Sequence, residues 1–134
     1  MPELPEVETI ASNLRNGALD QPSLLGMIIA SGEVLWTRSL ATPSVDEFSK
    51  RLPGQAVDGI WRRGKFLVLR LSQDYLLFHL RMSGDLLVER QDTPIALHHR
   101  LLIDFWNGYR LAFNDTRKFG RAWLVKEPDA VLSG

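Results

Sequence analysis

Residues 65–80 read KFLVLRLSQDYLLFHL, and this stretch sets the architecture of the chain. It contains two short runs rich in Leu, Val and Phe, at 66–69 and 75–78, separated by polar turn residues. Each run is nearly continuous in apolar residues rather than alternating, which is typical of strands buried between two layers. The stretch therefore predicts a β-sandwich.

The same pattern continues on both sides of this stretch, where short apolar runs alternate with turn residues as in a β meander. The strands that we predict are residues 27–37, 56–62, 65–71, 75–80, 86–90, 100–106, 109–114 and 121–125. Asn107-Gly108 is the clearest turn, because both central residues of a type I′ hairpin need φ > 0 and Asn-Gly tolerates this best.

Two helices are predicted in the first half of the chain. The first begins at Pro5, ends at Asn16-Gly17 and has its apolar residues at the spacing of one buried face: Val7, Ile10, Ala11 and Leu14. Ser44 is expected to cap a second, short helix. The sequence thus predicts one mainly β domain with helices over residues 1–134, a two-layer β-sandwich preceded by an N-terminal α-helix.

The composition limits the classes of function. Of 134 residues, 45% are hydrophobic, which is enough for a core, and 16 basic residues balance 16 acidic ones. Because the net charge is zero, any binding of nucleic acid must depend on local charge. The chain has no cysteine, which excludes a disulfide or a thiolate zinc site within these residues. No apolar run reaches the roughly 18 residues of a membrane span, so we expect a cytoplasmic protein.

The first of four segments with candidate chemistry is Pro2-Glu3-Leu4-Pro5-Glu6. If Met1 is removed, Pro2 presents a secondary α-amine, which with a pKa of about 8 is partly unprotonated and nucleophilic at neutral pH. Such an amine can attack an electrophilic sugar carbon and form an iminium. Glu3 could protonate the sugar, and Glu6, one helical turn away, could stabilise the cation. Carboxylates at a helix N-terminus also have a purely structural use, which stays open.

The second and third segments are Arg-Arg-Gly-Lys at 62–65 and His-Leu-Arg-Met-Ser-Gly at 79–84. Lys65 at a hairpin tip can contact a phosphate or a base edge, although ordinary solvated charge is the alternative. Met82 is long, flexible and apolar, which suits a side chain that fills the gap left by an extruded base. The alternative for Met82 is a place in the core.

The fourth segment is Asp-Thr-Arg-Lys-Phe-Gly-Arg at 115–121. It places a guanidinium and an aromatic ring two residues apart on a loop. Phe119 could wedge a base step while Arg117 hydrogen-bonds an orphaned base. A salt-bridged turn would explain the same residues without DNA.

In this order the four segments resemble the N-terminal domain of the formamidopyrimidine-DNA glycosylase family. The matching stretches are MPELPEVET, RRGKFL, HLRMSG and DTRKFG, and the resemblance runs from residue 1 to about residue 125. The related endonuclease VIII branch opens with Pro-Glu-Gly-Pro-Glu and lacks an equivalent of Arg117. Leu4 and Arg117 therefore favour the branch directed at purines.

The resemblance implies the catalytic residues. Pro2 would attack C1′ of the damaged nucleotide, Glu3 would be its acid/base partner, and Glu6 would support the site. Lys65 resembles the family's hairpin lysine, which reaches the lesion and its phosphates. The implied reaction is excision of oxidised purines such as 8-oxoguanine and formamidopyrimidines, followed by elimination of both flanking phosphates through the iminium.

The resemblance also implies residues that bind double-stranded DNA containing an oxidised purine or an abasic site. His79 would contact a phosphate. Met82, Arg117 and Phe119 resemble the residues that fill the hole when the lesion flips out, with Arg117 facing the widowed cytosine and Phe119 as the wedge. Flipping costs a few kcal/mol, which the inserted side chains would partly offset.

Family members are about twice as long, and their second half carries a helix-two-turn-helix and a four-cysteine zinc ribbon. Neither is expected in this chain, so we expect no metal or cofactor here and zinc only in that second half. An isolated domain should bind DNA weakly. A monomer in the bacterial cytoplasm, associated with the nucleoid, is the remaining expectation.

Three functions stay open at this point. The first is a bifunctional DNA glycosylase and abasic-site lyase domain. The second is a damaged-DNA recognition fragment without turnover, which a retained Met1 would favour because the Pro2 nitrogen would then be an amide. The third is an unrelated β-sandwich interaction module, which would scatter the site residues over the surface.

Overall fold

The N-terminal helix α1, Leu4–Asn16, begins one residue before the predicted Pro5 and ends at Asn16 as predicted, in a computed structural model that describes residues 3–133. Pro5 lies in its first turn, and the N–H of Gly17, whose φ is 83°, donates to the Asn13 carbonyl at 2.8 Å. The predicted apolar face is turned inward, because Val7, Ala11 and Leu14 are buried. A second helix, α2 (Val45–Arg51), is capped by Ser44, whose Oγ accepts from Glu47 N at 3.2 Å.

The remaining elements are mostly strands. They are β1 (Ile29–Val34), β2 (Leu40–Thr42), β3 (Val57–Arg63), β4 (Phe66–Leu71), β5 (Tyr75–His79), β6 (Gly84–Arg90), β7 (His99–Phe105), β8 (Tyr109–Asp115) and β9 (Arg121–Val125). A 3-10 turn, Thr37–Ser39, precedes β2, and a short helix, α3 (Asp129–Leu132), follows β9. No helix within residues 3–133 is both long enough and apolar enough to cross a membrane.

The strands form two sheets. One has the order β1-β7-β8-β6, and the other has the order β2-β9-β5-β4-β3. The pairings are antiparallel except for β2 with β9, which is parallel. The core between the two sheets also takes in the buried face of α1. This arrangement confirms the predicted two-layer sandwich with a leading helix.

The continuous apolar runs of β4 and β5 have a specific cause. Leu67, Leu69 and other alternate residues belong to the core between the sheets, with Phe78 5.4 Å from Phe113 across it. Val68 and Leu77 fall on the other face and are also fully buried. Aromatic rings cover that face and make edge contacts, Trp61 with Tyr75 at 6.4 Å and Phe66 with Trp123 at 5.6 Å.

One turn conformation was predicted wrongly. The hairpin between β7 and β8 is centred on Asn107-Gly108 as expected, but it is not type I′, because Gly108 has a positive φ of 88° and Asn107 does not. The loop is one residue longer than predicted and includes Trp106. Gly108 is the one residue of this loop with a left-handed backbone conformation, as is typical of a three-residue hairpin loop.

Candidate functional site

The last residue of β5 organises the site. His79 pairs with Phe66 of β4 on one side and with Arg121 of β9 on the other. Lys65 directly precedes Phe66 in the β3–β4 turn, and the loop 116–120 directly precedes Arg121. Strand register therefore brings the second and fourth segments of the sequence to the same end of the five-stranded sheet, beside the third.

The start of α1 faces that end across a cavity of about 670 Å³. The residues lining this cavity, here called the helix cavity, are Glu6, Thr9 and Ile10 from α1 and Met82, Ser83, Gly84 and Asp85 from the turn after β5 and the start of β6. Glu6, a predicted catalytic residue, and Met82, a predicted gap-filling residue, thus share one space. An acid and an apolar side chain on facing walls suit a bound sugar and base.

Of the other predicted catalytic residues in the first segment, only Glu3 lies within the described residues. Glu3 is exposed at the N-cap of α1, and its backbone carbonyl accepts from Val7 N at 3.0 Å. Its carboxylate makes no capping hydrogen bond, so the side chain is not used to begin the helix. Pro2, the predicted nucleophile, directly precedes Glu3 in sequence and lies outside the described residues.

A second carboxyl in the helix cavity was not predicted. Burial raises the pKa of Asp85, an effect opposed by the hydrogen bond that its Oδ1 accepts from Leu86 N at 2.9 Å. The cavity therefore holds two acidic side chains of different environment, the exposed Glu6 and the partly buried Asp85.

His79 is held in one tautomer by its neighbour. Its Nδ1 accepts a hydrogen bond from Arg81 N at 3.3 Å, which leaves the proton of the neutral ring on Nε2. Burial is the main cause that lowers the pKa of His79, and the positive charges of Arg81 and Lys65 lower it further. At neutral pH the ring is a neutral donor with Nε2–H available, which suits the predicted contact to a phosphate oxygen.

The hairpin that carries Lys65 is tied to α1. Gly64 has a φ of 59° at the tip, and Arg62 donates from Nη1 to the Gly64 carbonyl at 3.0 Å. The Nε of Arg62 donates to Glu8 of α1 at 3.1 Å. Exposed pairs of this kind contribute little stability, up to about 1 kcal/mol, but this one joins the predicted lysine to the acidic helix.

The predicted gap-filling side chains are exposed. Met82 retains 45% of its accessible surface and Phe119 retains 51%, which excludes the alternative of a core methionine. The guanidinium of Arg117 lies 5.4 Å from the centre of the Phe119 ring, within the range of a cation–π contact. Within residues 3–133 no ion pair is found in this loop, so the turn is not salt-bridged; backbone N–H groups of the loop donate to the Asp115 carboxylate instead.

Five of the 16 basic residues of the chain, Arg117 among them, cluster at this pair. A cavity of about 460 Å³, here called the basic cavity, is lined by Trp36, Arg38, Arg81, Arg117, Lys118, Phe119 and Arg121. Lys118 Nζ lies 4.1 Å from the centre of the Trp36 ring. In a chain of zero net charge this clustering supplies the local field that a polyanion requires.

Sequence reasoning missed part of the basic cavity. Arg81 and Lys118 lie inside two of the segments and could have been included for that reason. Trp36 and Arg38 carry no local signal, because they reach the site through the parallel pairing of β2 with β9, a long-range contact. The fold and site together define a β-sandwich domain suited to nucleic acid, with an acidic helix start beside a basic and apolar rim.

The comparisons with known proteins agree with this class. The family model described as the formamidopyrimidine-DNA glycosylase N-terminal domain matches residues 1–122. The chain therefore belongs to the formamidopyrimidine-DNA glycosylase N-terminal domain family.

Curated relatives carry the same name. The formamidopyrimidine-DNA glycosylase of Protochlamydia amoebophila is 40% identical over 133 residues, which cover 98% of this chain and 46% of that protein. The protein of that name from Chloroflexus aurantiacus is 45% identical over 126 residues, covering 93% and 43%. The chain thus spans less than half the length of these relatives.

Solved structures share the fold. The Lactococcus lactis Fpg (MutM) in complex with a FAPY-dG containing DNA has a TM-score of 0.85 and 33% identity, covering 96% of this chain and 46% of that one. The complex of the same species' Fpg with an abasic site containing DNA has the same TM-score of 0.85 and the same 33% identity, covering 96% and 46%.

Proposed function

We propose that this chain is the catalytic domain of a base-excision repair enzyme, a DNA glycosylase and abasic-site lyase that removes oxidised purines from double-stranded DNA. One observation carries the proposal: Glu6 and Met82 line the same cavity, while Arg117 and Phe119 stand exposed beside the adjoining basic cavity. The acidic side chain proposed for catalysis and the side chains proposed for base extrusion therefore lie at the same end of the domain. The Lactococcus lactis relatives bound to lesion-containing DNA support the same substrate class.

The proposed chemistry uses only groups of this chain. The lone pair of the Pro2 amine, freed by removal of Met1, attacks C1′, and the bond from C1′ to the damaged base breaks with its electron pair leaving on the base. The ammonium formed by this attack passes its N–H proton to the departing base, which restores the lone pair on the Pro2 nitrogen. Glu3 then protonates the ring oxygen as the C1′–O4′ bond opens, and that lone pair forms an iminium with C1′. Glu6 stabilises the resulting cation. Loss of a C2′ proton then expels the 3′ phosphate, and a second elimination expels the 5′ phosphate.

The proposed binding mode assigns the other residues. Lys65 and His79 contact phosphates at the lesion, His79 as a neutral Nε2–H donor. Met82 fills the space vacated by the flipped nucleotide, Phe119 wedges the adjacent step, and Arg117 hydrogen-bonds the orphaned cytosine.

An excision assay tests this function. The chain, shown by mass spectrometry to lack Met1, is incubated with duplex DNA carrying 8-oxoguanine opposite cytosine, and released base and strand scission are measured. We expect release from the damaged duplex, none from an undamaged one, and at least about a hundredfold loss for Glu3→Gln. Preferential binding without any release would instead identify a recognition fragment, and equal binding to both duplexes would contradict the proposal altogether.

A further inference from the structure

Asp115 is buried at the junction of the two loops that carry the proposed gap-filling residues. It is the last residue of β8, pairs with Gly84 at the start of β6, and is 1% exposed. Its Oδ1 accepts from the Ser83 hydroxyl and from Arg117 N, the latter at 3.3 Å. Its Oδ2 accepts from Gly120 N at 2.7 Å. One carboxylate therefore holds both the turn after β5 and the loop before β9.

The backbone of Asp115 is fixed as well. Its N–H donates to the His98 carbonyl at 2.9 Å, and its own carbonyl accepts from Arg100 Nε at 2.9 Å. The carboxylate is thus a fixed point on the sheet rather than part of a mobile loop. Ser83 completes the link, because its Oγ also accepts from Arg117 N at 3.1 Å.

Both loops have conformations that need such support. Arg81 and Lys118 have left-handed backbone angles, φ 58° and φ 62°, which side chains other than glycine seldom adopt. A Cβ at Gly84 would come within 2.5 Å of the Leu80 carbonyl oxygen, and one at Gly120 would come within 2.5 Å of the Phe113 ring. Each loop therefore packs closely against the rest of the domain, which restricts it to one backbone conformation.

We propose that Asp115 is a positioning residue that couples the Met82 turn to the Arg117–Phe119 loop, so that the three side chains enter DNA as one preorganised unit. This inference rests on the proposed function of those three residues. Held loops lose less conformational freedom on binding, so the coupling would increase both affinity and selection of the opposite base. The carboxylate itself does not touch DNA.

Amide hydrogen exchange on the free chain tests the coupling without DNA. Asp115→Asn replaces one carboxylate oxygen by an NH₂ group. This group cannot accept from the N–H and O–H groups that point at it, so we expect amide exchange at Arg117 and Gly120 to accelerate at least about tenfold. Ser83→Ala should accelerate exchange at Arg117 in the other loop and leave Gly120 protected by Oδ2. Unchanged exchange at Arg117 in both variants would overturn the coupling. If Asp115→Asn does not fold, unchanged exchange at Arg117 in Ser83→Ala overturns it alone.

Asp74→Asn is the matched control. Asp74 is 2% exposed and accepts from Arg51 at 2.6 Å and from Gln55 at 2.7 Å, at the opposite end of β5 from His79. The variant loses a carboxylate that is about as buried as Asp115 but is held by Arg51 and Lys126 rather than by loop N–H groups, away from both loops. Accelerated exchange at Arg117 and Gly120 in Asp74→Asn, equal to that in Asp115→Asn, would show general destabilisation and overturn the proposal.

The functional readout is selection of the opposite base. The dissociation constants of duplexes with an abasic site opposite cytosine and opposite adenine are measured for each variant, at one salt concentration. We expect Asp115→Asn to reduce the ratio of the two constants at least about fivefold and Asp74→Asn to leave it unchanged. An unchanged ratio in Asp115→Asn overturns the positioning role. A wild-type chain without any preference contradicts the proposed function instead, and hydrogen exchange then decides the coupling by itself.

Discussion

Glu6 in the first turns of α1 and Met82 in the turn after β5 line a single cavity, although they come from opposite ends of the first two-thirds of the chain. The helix and the turn belong to different elements of the sandwich and meet only through the packing of α1 against the sheets. A nucleotide displaced by Met82 would therefore enter the space that Glu6 faces. In the proposed function, this relationship would link extrusion of a base to the chemistry on its sugar.

Removal of the Glu6 charge should slow chemistry more than binding. In Glu6→Gln we expect the iminium adduct to form at least about tenfold more slowly, because the cation loses its stabilising carboxylate, while affinity for abasic DNA changes less than about twofold. Adduct formation at saturating protein and fluorescence anisotropy measure the two quantities. Glu127→Gln is the control, since Glu127 is exposed and follows β9 at the end away from Arg121. Equal slowing in both variants would point to a general charge effect.

Truncation of Met82 should weaken binding without affecting stability. Because Met82 is 45% exposed, we expect Met82→Ala to change the free energy of unfolding by less than about 0.5 kcal/mol. Its affinity for lesion-containing duplex should fall about tenfold, equivalent to about 1.4 kcal/mol. Leu97→Ala, at a residue 85% exposed, serves as the control for loss of a surface apolar group. Full affinity in Met82→Ala would remove the gap-filling role.

The basic cavity should determine the salt dependence of binding. Arg38 lines this cavity, so Arg38→Gln should weaken binding to damaged and undamaged duplexes alike and reduce the slope of log K against log salt by about one. The measurement is a salt titration followed by anisotropy. Arg90→Gln is the control, because Arg90 lies at the far end of β6 and pairs with Asp92 at 3.7 Å. The same slope in wild type and Arg38→Gln would show that the basic cavity does not bind DNA phosphates.

The lowered pKa of His79 predicts a pH-dependent stability. The unfolded chain takes up the His79 proton with the ordinary pKa of 6.5, and the folded chain takes it up only at lower pH. Between these two pKa values the unfolded state binds more protons than the folded state. The stability that the neutral His79 ring contributes is therefore complete above pH 6.5 and is lost as pH falls through the pKa of His79 in the folded chain. Relative to wild type, His79→Gln should lose less stability on acidification, measured by urea unfolding between about pH 5 and pH 8. A constant offset between the two curves would contradict this.

The sequence predicted the sandwich because its strands follow local rules. The continuous apolar runs of β4 and β5 indicated burial on both faces, and the aromatic cover over Val68 and Leu77 is the physical reason. The start and end of α1 followed from Pro5 and Gly17. In contrast, β2 has three residues and depends on a parallel partner far along the chain, which leaves no local pattern.

The candidate site was predictable where a motif contained it. Lys65, His79, Met82, Arg117 and Phe119 each lie in one of the four segments, and strand register gathers those segments. The role of Asp115 was not predictable, although it opens the fourth segment, because a lone acidic residue at a strand end gives no sign of the three donors that converge on it. Trp36 and Arg38 were missed because only the tertiary fold brings them to the basic cavity.

Borohydride trapping on duplex DNA with an abasic site opposite cytosine tests the proposed chemistry most directly. The chain is used in two forms that differ only in whether Met1 is present, as established by mass spectrometry, since a retained Met1 turns the Pro2 nitrogen into an amide without nucleophilic character. We expect a covalent adduct, mapped to Pro2, from the form that lacks Met1 and none from the form that retains it. Equal adduct from both forms, or none from the form with a free Pro2 amine, would contradict the assignment of Pro2 as the nucleophile.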